Sequence, residues 1–451
     1  MRIYTLLGLA AALAAGQYLE TTIEFLPGTE PGTPVAMVWN STDNRIYVGD
    51  QYDRNLAVID GATNDKLAPV VAANRVVALT YNPVQNKVYA PSENSDTLAI
   101  IDGATGAVTF ITAGGSMTDI CYNQANNRVY AMAYGGSTVE VIDGAADTVI
   151  AHIPVGYTPQ HIVANPTNNK VYVSDWNDQN LMVIDCSTDS VTVTMDFEEN
   201  CEWLCYNPQE NKVYCALRMN NQVKVIGGAN DSVLATVSIS GRPGYMAWNP
   251  RDNRVYCAAV SGDYVAVIDG TGDSVVAAID VGDQPAAIAI DTAANKAWVA
   301  NFAGNSVTVI DCPTLAVDTT IAVGRGPVAL AYNPANGRIY TANKNDTSVS
   351  VLRESLSVGV EEGSNSQATN RKPEPTIVRH VLMLGLGTRS GLSHNPVMSG
   401  AVLLDVSGVK VMDLASGPND VRALSPGVYF LFAPGTSNQR PRTTTKVVVA
   451  R

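Results

Sequence analysis

Along residues 18–352, short β-branched or alternating apolar segments are separated by polar turns. The clearest copy of the pattern runs Pro285 to Ile290, Lys296 to Ala300, Ser306 to Asp311 and Ala316 to Val323. Each segment is bounded by turn residues, which predicts four antiparallel strands. The whole pattern recurs. Eight polar turns open on Asn40, Asn82, Asn123, Asn165, Asn207, Asn249, Asp291 and Asn333, 42 residues apart in six intervals and 41 in one. Such a period is the mark of a radial or solenoidal repeat.

Four residues after each opener stand Asn44, Asn86, Asn127, Asn169, Asn211, Asn253, Asn295 and Gly337. Asn and Gly best tolerate a left-handed backbone, so each of these positions is expected to have positive φ. The next residue is basic in every copy, from Arg45 to Arg338, and the following hairpin ends on Asp60, Asp102, Asp143, Asp185, Asp269 or Asp311. Counting inward from both ends places base and acid opposite one another, as a repeated cross-strand ion pair; a charged ring that binds ions is the functional alternative. Gly227 and Arg353 replace the acid in two units, as a weak surface pair permits. Tyr47, Tyr89, Tyr130, Tyr172, Tyr214, Tyr256, Trp298 and Tyr340 form a ladder expected to pack between neighbouring sheets.

Four-stranded units of this length arranged radially make a β-propeller. The last unit stops after Ser348 to Leu352, while Tyr18 to Phe25 precedes the first as a spare outer strand. Pairing the two would close the ring and remove an exposed edge. The expected fold is therefore all-β, an eight-bladed propeller, with seven blades as the fallback.

Composition narrows the partners. A net charge of −13, only 4 His and no basic run speak against nucleic acid. The apolar run Ile3 to Ala15 follows Arg2 and leads into Ala14-Ala15-Gly16, which reads as a secretory signal over residues 1–16. No later apolar run approaches the roughly 20 residues of a membrane-spanning helix. Six of the 7 Cys, in the equivalent pairs Cys215 and Cys257, Cys186 and Cys312, and Cys121 and Cys205, take positions held in other units by small apolar residues, which suggests buried free thiols, with one disulfide as the alternative.

Three segments of the seventh unit carry a family resemblance: Lys296-Ala297-Trp298-Val299-Ala300-Asn301, Asn305-Ser306-Val307-Thr308-Val309-Ile310-Asp311, and Ile321-Ala322-Val323-Gly324 before Pro327. They resemble the repeat of the surface β-propeller family named after its Tyr-Val-Thr-Asn motif. The likeness covers residues 18–352 and departs at Arg218-Met219 and Gly227-Gly228. It implies a secreted or surface-layer protein and transfers no active site, because the motif is scaffold.

Residues 17–352 are expected to form the propeller and 353–377 a linker rich in Ser, Glu, Asn and Pro. Residues 378–451 are then a small antiparallel, sandwich-like β module with strands within Ala401 to Leu414, Gly427 to Phe432 and Thr444 to Val449. The order Asn395-Pro396, Val402 to Gly408, Leu424 to Phe430 and Lys446 to Arg451 is similar to the C-terminal sorting domain of the type IX secretion system, with a departure at Gly408-Val409-Lys410. That resemblance implies passage across an outer membrane to the cell surface.

In a propeller, the loops joining strand four to strand one and strand two to strand three share a face. Here that face varies, whereas the Asn turns and Asp-Gly corners of the other are uniform. Variable loops on a rigid scaffold are where binding residues gather. Four residues before each opener stand Ala36, Ala78, Asp119, His161, Trp203, Tyr245, Ala287 and Ala329. The third to sixth units thus exchange Ala for a carboxylate, an imidazole, an indole and a phenol. Tyr157, Glu202 and Arg242 lie in the incoming loops, and Tyr134, Asp175, Trp176 and Arg218 in the outer ones. This is either a one-sided binding patch at the channel mouth or a set of side chains that plugs the channel.

Three functions stay open. The first is a noncatalytic, monomeric surface ring that binds an envelope glycan, a peptide or a surface protein and needs no cofactor. The second is an enzyme of lactonase, lyase or hydrolase type, in which Asp119, His161 and Glu202 converge to hold a divalent metal ion or act as acid and base. No Gly-x-Ser-x-Gly elbow or His-Glu-x-x-His helix supports it. The third is a purely structural surface-layer component.

Overall fold

A computed structural model describes residues 17–25 and 32–354 with their side chains, together with seven short backbone strands between residues 376 and 449. The expected export segment and residues 355–375 of the expected linker lie outside the described residues. Residues Gln17–Glu354 form one compact unit.

That unit holds eight four-stranded antiparallel sheets, one per repeat. In the seventh blade the strands are Pro285–Asp291, Lys296–Asn301, Ser306–Asp311 and Ala316–Ala322. The eighth blade is composite: Gln17–Glu24 pairs antiparallel with Ser348–Glu354, from Gln17 opposite Glu354 to Glu24 opposite Ser348. The ring is thus closed by joining the two ends of the repeat array in one sheet. The first two blades are the least regular. The outer strand of the first is only Val70–Val71 and the inner strand of the second only Thr80–Asn82, so Ala78 precedes its strand instead of lying in it.

Burial explains the differing sequence patterns of the strands. The second and third strands of a blade are covered on both sides by neighbouring blades and are almost continuously buried, as in Lys170–Asp175 and Asn180–Asp185. The outer strand Ser190–Asp196 alternates exposed and half-buried positions, the period-two pattern of a sheet edge facing water. The core is accordingly a series of layers between blades. Tyr47 of the first blade, for example, packs with Val58, Val88, Ala99 and Ile101. Every member of the aromatic ladder is at most 1% exposed. Each fully buried Val or Ile in these layers contributes about 1.5–3 kcal/mol.

The turns between strands one and two explain the Asn repeat. All eight closing residues have positive φ, from 51° at Asn169 to 68° at Gly337. The opener uses both ends of its amide. Asn40 Oδ1 accepts from the backbone N–H of Thr42 at 2.9 Å and of Asp43 at 3.1 Å. Its Nδ2 donates to Oδ1 of Asn86, the closing Asn of the next blade, at 2.9 Å. The same bond recurs at Asn82–Asn127, Asn123–Asn169, Asn165–Asn211, Asn207–Asn253 and Asn249–Asn295. Asn333 Nδ2 completes the circuit to Asn44 of the first blade at 2.8 Å. The one break is matched on both sides. Asp291 cannot donate, and the residue it would meet is Gly337, which presents no side chain.

The basic residues do oppose the corner acids in register, Lys87 to Asp102 and Arg128 to Asp143 among them. The expected cross-strand ion pair is nevertheless not formed. Lys87, Arg128, Lys170 and Lys212 pair instead with Asp147, Asp189, Asp231 and Asp273 of the next blade, at 2.6–3.0 Å. The corner acids are occupied elsewhere: Asp143 Oδ1 accepts from the N–H groups of Ala145 and Ala146 in its own turn. Lys212 makes the contrast plain. It faces Gly227 across the hairpin, yet bonds the carbonyl of Gly270 at 2.9 Å and both oxygens of Asp273 at 2.9 Å. These ion pairs join blades, not strands.

The thiols follow the one-disulfide alternative, with the other five free. Cys201 and Cys215 form a disulfide, with Cα atoms 6.3 Å apart on adjacent strands of the fifth blade. Cys121, Cys186, Cys205, Cys257 and Cys312 are free, and all but Cys121 are buried.

Among the tail strands, Thr376–Val378, Thr445–Val449, Gly427–Phe432, Ala401–Leu404 and Lys410–Leu414 form, in that order, one five-stranded sheet. The sheet is not wholly antiparallel, because Thr376–Val378 runs parallel to Thr445–Val449. A strand at Val381–Leu384, before Pro396, pairs with Gly417–Asp420.

Candidate functional site

The loops entering each blade and those joining its second and third strands do share a face. Trp176 N–H donates to the carbonyl of Thr158 at 3.1 Å, Val260 to that of Arg242 at 3.1 Å, and Phe302 to that of Gln284 at 2.8 Å. On this side the innermost strands carry a feature absent from the sequence reading. Their ladders slip by one residue between Met117 and Asp119, Pro159 and His161, Cys201 and Trp203, and Pro243 and Met246. A β-bulge of this kind re-aims the side chains beside it. It sits at or immediately before the positions that the third to sixth blades vary, and the same slip recurs before Ala36, Ala287 and Ala329 in the first, seventh and eighth blades.

Four of the candidate residues come together as one contiguous run. His161 Nε2 lies 3.5 Å from Asp119 Oδ2. The His161 and Trp203 rings are 4.9 Å apart and inclined at 57°, and Trp203 and Tyr245 are 5.5 Å apart at 59°. The tilted spacings are those of favourable edge-to-face pairs. Asp119 is held firmly, accepting the N–H of Ile120 at 2.9 Å and that of Ile162, in the next blade, at 3.0 Å. Its carboxylate therefore joins the third blade to the fourth as well as facing the imidazole. Burial pushes the Tyr245 phenol up to about 12, with Cys205 and Asp119 adding to the effect. Trp203 and Tyr245 also pack against the layers between blades, so they support the core more than mouth residues were expected to.

Glu202 takes a different direction from its neighbour Trp203. It is 7% exposed, and its Oε2 accepts from Arg218 Nη1 at 3.2 Å. Burial raises the Glu202 carboxyl above the ordinary range, while Arg218 and then Arg242 oppose that rise. Its Oε1 is buried without a hydrogen-bond partner among the described residues, as are Thr118 Oγ1 and His161 Nδ1. Asp119, His161 and Glu202 thus do not converge as one ligand set. Among the described residues, no group of three His, Cys, Asp or Glu side chains is placed to hold a metal ion.

The remaining candidates form the rim. Arg242 is exposed, has a φ of 61°, and donates its N–H to Asn221 Oδ1 at 2.9 Å. Tyr157 is 72% exposed, with its N–H bonded to Asp178 Oδ2 at 2.9 Å. Trp176 is half-buried. Asp175 is a turn acceptor for Thr158 and Asp178. Met219, 56% exposed in the outer loop of the fifth blade, was missed.

A second row was missed as well. The residue at the bulge is Thr118, Gln160, Glu202 or Gly244 in the third to sixth blades, whereas the equivalent positions elsewhere are Val35, Val77, Ala286 and Val328. The same internal comparison, moved by one position, would have found it.

No protein-family model and no curated protein matches the sequence. Solved structures are similar in fold. The crystal structure of Saccharomyces cerevisiae Sqt1 superposes with a TM-score of 0.64 at 11% identity, over 75% of this chain and 99% of that one. Kuenenia stuttgartiensis hydrazine synthase gives 0.52 at 18%, over 63% of this chain and 98% of that one. At these identities the likeness concerns the propeller fold alone.

Proposed function

We propose that the chain is an exported, noncatalytic binding module that holds a component of the cell envelope on the variable face of its third to sixth blades. One observation carries the reading: Asp119, His161, Trp203 and Tyr245 form a continuous run where the other blades have Ala. Side chains that served only to fill the repeat would have no reason to be polar in two consecutive blades and aromatic in the next two.

Export rests on the apolar segment Ile3 to Ala15 and on the resemblance of residues 378–451 to a type IX sorting domain. Surface display rests on the likeness of the repeat to the Tyr-Val-Thr-Asn propeller family. A chain lacking residues 378–451 should accumulate inside the producing cell, and its normal delivery to the surface would sink the sorting assignment. Binding is tested with Trp203→Ala combined with Tyr245→Ala, by adsorption of the purified protein to isolated envelope material. Adsorption should be lost while unfolding stays cooperative at a lower midpoint, since both rings also pack on the core. Unchanged adsorption by a severely destabilised variant would make these side chains channel plugs and leave the structural role.

The enzyme reading retains one favourable observation, the His161–Asp119 contact at 3.5 Å. It predicts that His161→Gln abolishes turnover of a lactone or ester panel without affecting adsorption.

A further inference from the structure

Resting on the binding reading above, we infer that the partner is a protein with a basic surface, docked on the variable-face loops of the third to fifth blades. The first ground is a belt of exposed side chains of one kind. Loops 134–137, 155–158, 176–179, 197–200 and 218–221 follow one another around this face. They present Tyr134 at 42% exposure, Tyr157 at 72% and Met219 at 56%, with Trp176 half-buried between them. In the variable-face loops of the other blades, among the described residues, the one exposed large apolar side chain is Tyr52, and the Arg75 guanidinium lies over its ring at 5.6 Å. Tyr, Trp and Met are the side chains that protein interfaces gather, and buried Tyr and Trp carry much of their binding energy.

The second ground is order. Each junction along the belt is hydrogen-bonded: Ser137 Oγ donates to the Tyr157 carbonyl at 3.5 Å, Tyr157 N–H to Asp178 Oδ2 at 2.9 Å, Phe197 N–H to the Gln179 carbonyl at 3.0 Å, and Asn220 Nδ2 to Glu199 Oε1. Tyr134 and Met219, at its two ends, stand on the 3₁₀ turns Tyr134–Gly136 and Arg218–Asn220. Loops fixed in advance lose little conformational freedom when a partner docks. The third ground is extent. The five loops have four residues each, about 20 in all, which matches one side of a standard protein–protein interface.

The fourth ground is charge, which sets the kind of protein. The loops carry Asp178, Glu198 and Glu199 against a single base, Arg218, whose guanidinium already holds Glu202 at 3.2 Å. Asp178 and Glu199 accept from the Tyr157 N–H and the Asn220 amide, and among the described residues no cation is paired with any of the three. A chain of net charge −13 that displays such carboxylates repels acidic envelope polymers, whereas Lys and Arg of a partner complement them. The exposed faces of Tyr134 and Tyr157 favour the same cations.

The test is adsorption of the purified full chain to isolated envelope material that is untreated, digested with trypsin and washed free of it, or oxidised with periodate to destroy its sugars. Trypsin cuts after Lys and Arg, so digestion should abolish adsorption while periodate leaves it intact. Tyr157→Ala with Met219→Ala should weaken adsorption to untreated material about tenfold or more, and Glu198→Lys with Glu199→Lys should do the same through charge. Both variants should unfold as the wild type does, because none of the four side chains is buried. Raising the ionic strength to about 1 M, where the screening length is about 3 Å, should also weaken adsorption. Adsorption that survives trypsin and is lost on periodate overturns the protein partner in favour of a glycan and leaves the binding module standing. Trypsin-sensitive adsorption that both double variants retain overturns the placement on these loops. Absence of adsorption to untreated material removes the binding reading, and this inference with it.

Discussion

The two faces of the ring are built on the same strands yet treat polar side chains in opposite ways. On the Asn-turn face the opener Asn40 accepts two backbone N–H groups and donates to the next blade, so both ends of its amide are used. A residue there answers to a neighbour about one repeat away. That is why the single deviation is double, Asp291 meeting Gly337. On the opposite face of the third to sixth blades, Glu202 Oε1, Thr118 Oγ1 and His161 Nδ1 are left without partners among the described residues. Buried unpaired atoms occur on the Asn-turn side as well, at Asp252 Oδ1 and Tyr332 Oη, so the contrast is narrower: seven of the eight openers are tied to the next blade, whereas these three atoms of the variable face are tied to nothing among the described residues.

The comparison breaks most severely at the seam. Deleting residues 17–25 uncovers the edge of Ser348–Glu354 and removes the Glu20 carboxylate, 2.6 Å from the buried Arg338 guanidinium. The protein should aggregate and lose its cooperative transition. A soluble ring with a single sharp melt would show that closure is dispensable.

Next in size is Lys212→Met, which leaves Asp273 and two carbonyls of the next blade without their cation. Breaking a pair this buried should cost about 3 kcal/mol in urea unfolding. Asp269→Asn at the corner should cost under about 1 kcal/mol, since an amide oxygen still accepts the turn N–H groups. Equal effects would show that the corner acid carries more than its own turn.

The uniform face can also be completed. Asp291→Asn with Gly337→Asn supplies the eighth inter-blade bond, and Asn tolerates the φ of 68° at that position. A gain of about 1 kcal/mol is expected for the pair. Gly337→Asn alone should gain less than the pair, because its NH2 would have to turn to a carboxylate that already accepts two turn N–H groups. A double variant no more stable than the wild type would mean that the seam does not contribute.

The smallest effect is one of pH. Turn hydrogen bonds hold Asp102, Asp143 and Asp185 below the ordinary 3.8, through Thr105, Ala146 and Ser187 first. A depressed folded value means that these groups stabilise the ring above the unfolded value. Their contribution fades as pH falls from 3.8 through the lower folded values. Asp143→Asn should flatten the acid limb of the urea midpoint slightly, and an unchanged slope would deny these corners a role.

The aromatic stair and the bulge row differ in how far the sequence revealed them. The exchange of Ala for Asp119, His161, Trp203 and Tyr245 stands out because one position can be compared across eight units. What those side chains touch does not. Asp119 is anchored on Ile162, and Glu202 turns to Arg218 while Trp203 turns to Tyr245. These outcomes depend on the bulge, which a residue count cannot locate.

The 42-residue period, the four segments per unit and the Asn turns sufficed for eight blades, positive φ and a ring closed by its own N-terminal strand. Those properties follow from local backbone preferences repeated at a fixed interval. The inter-blade ion pairs, the Cys201–Cys215 disulfide and the unsatisfied groups of the variable face were settled only in three dimensions. A basic side chain in this ring finds its carbonyl 58 residues away, in the next blade. Its choice between that partner and the acid across its own hairpin is made by packing, which brings the next corner within reach and leaves the nearer acid bound to its own turn.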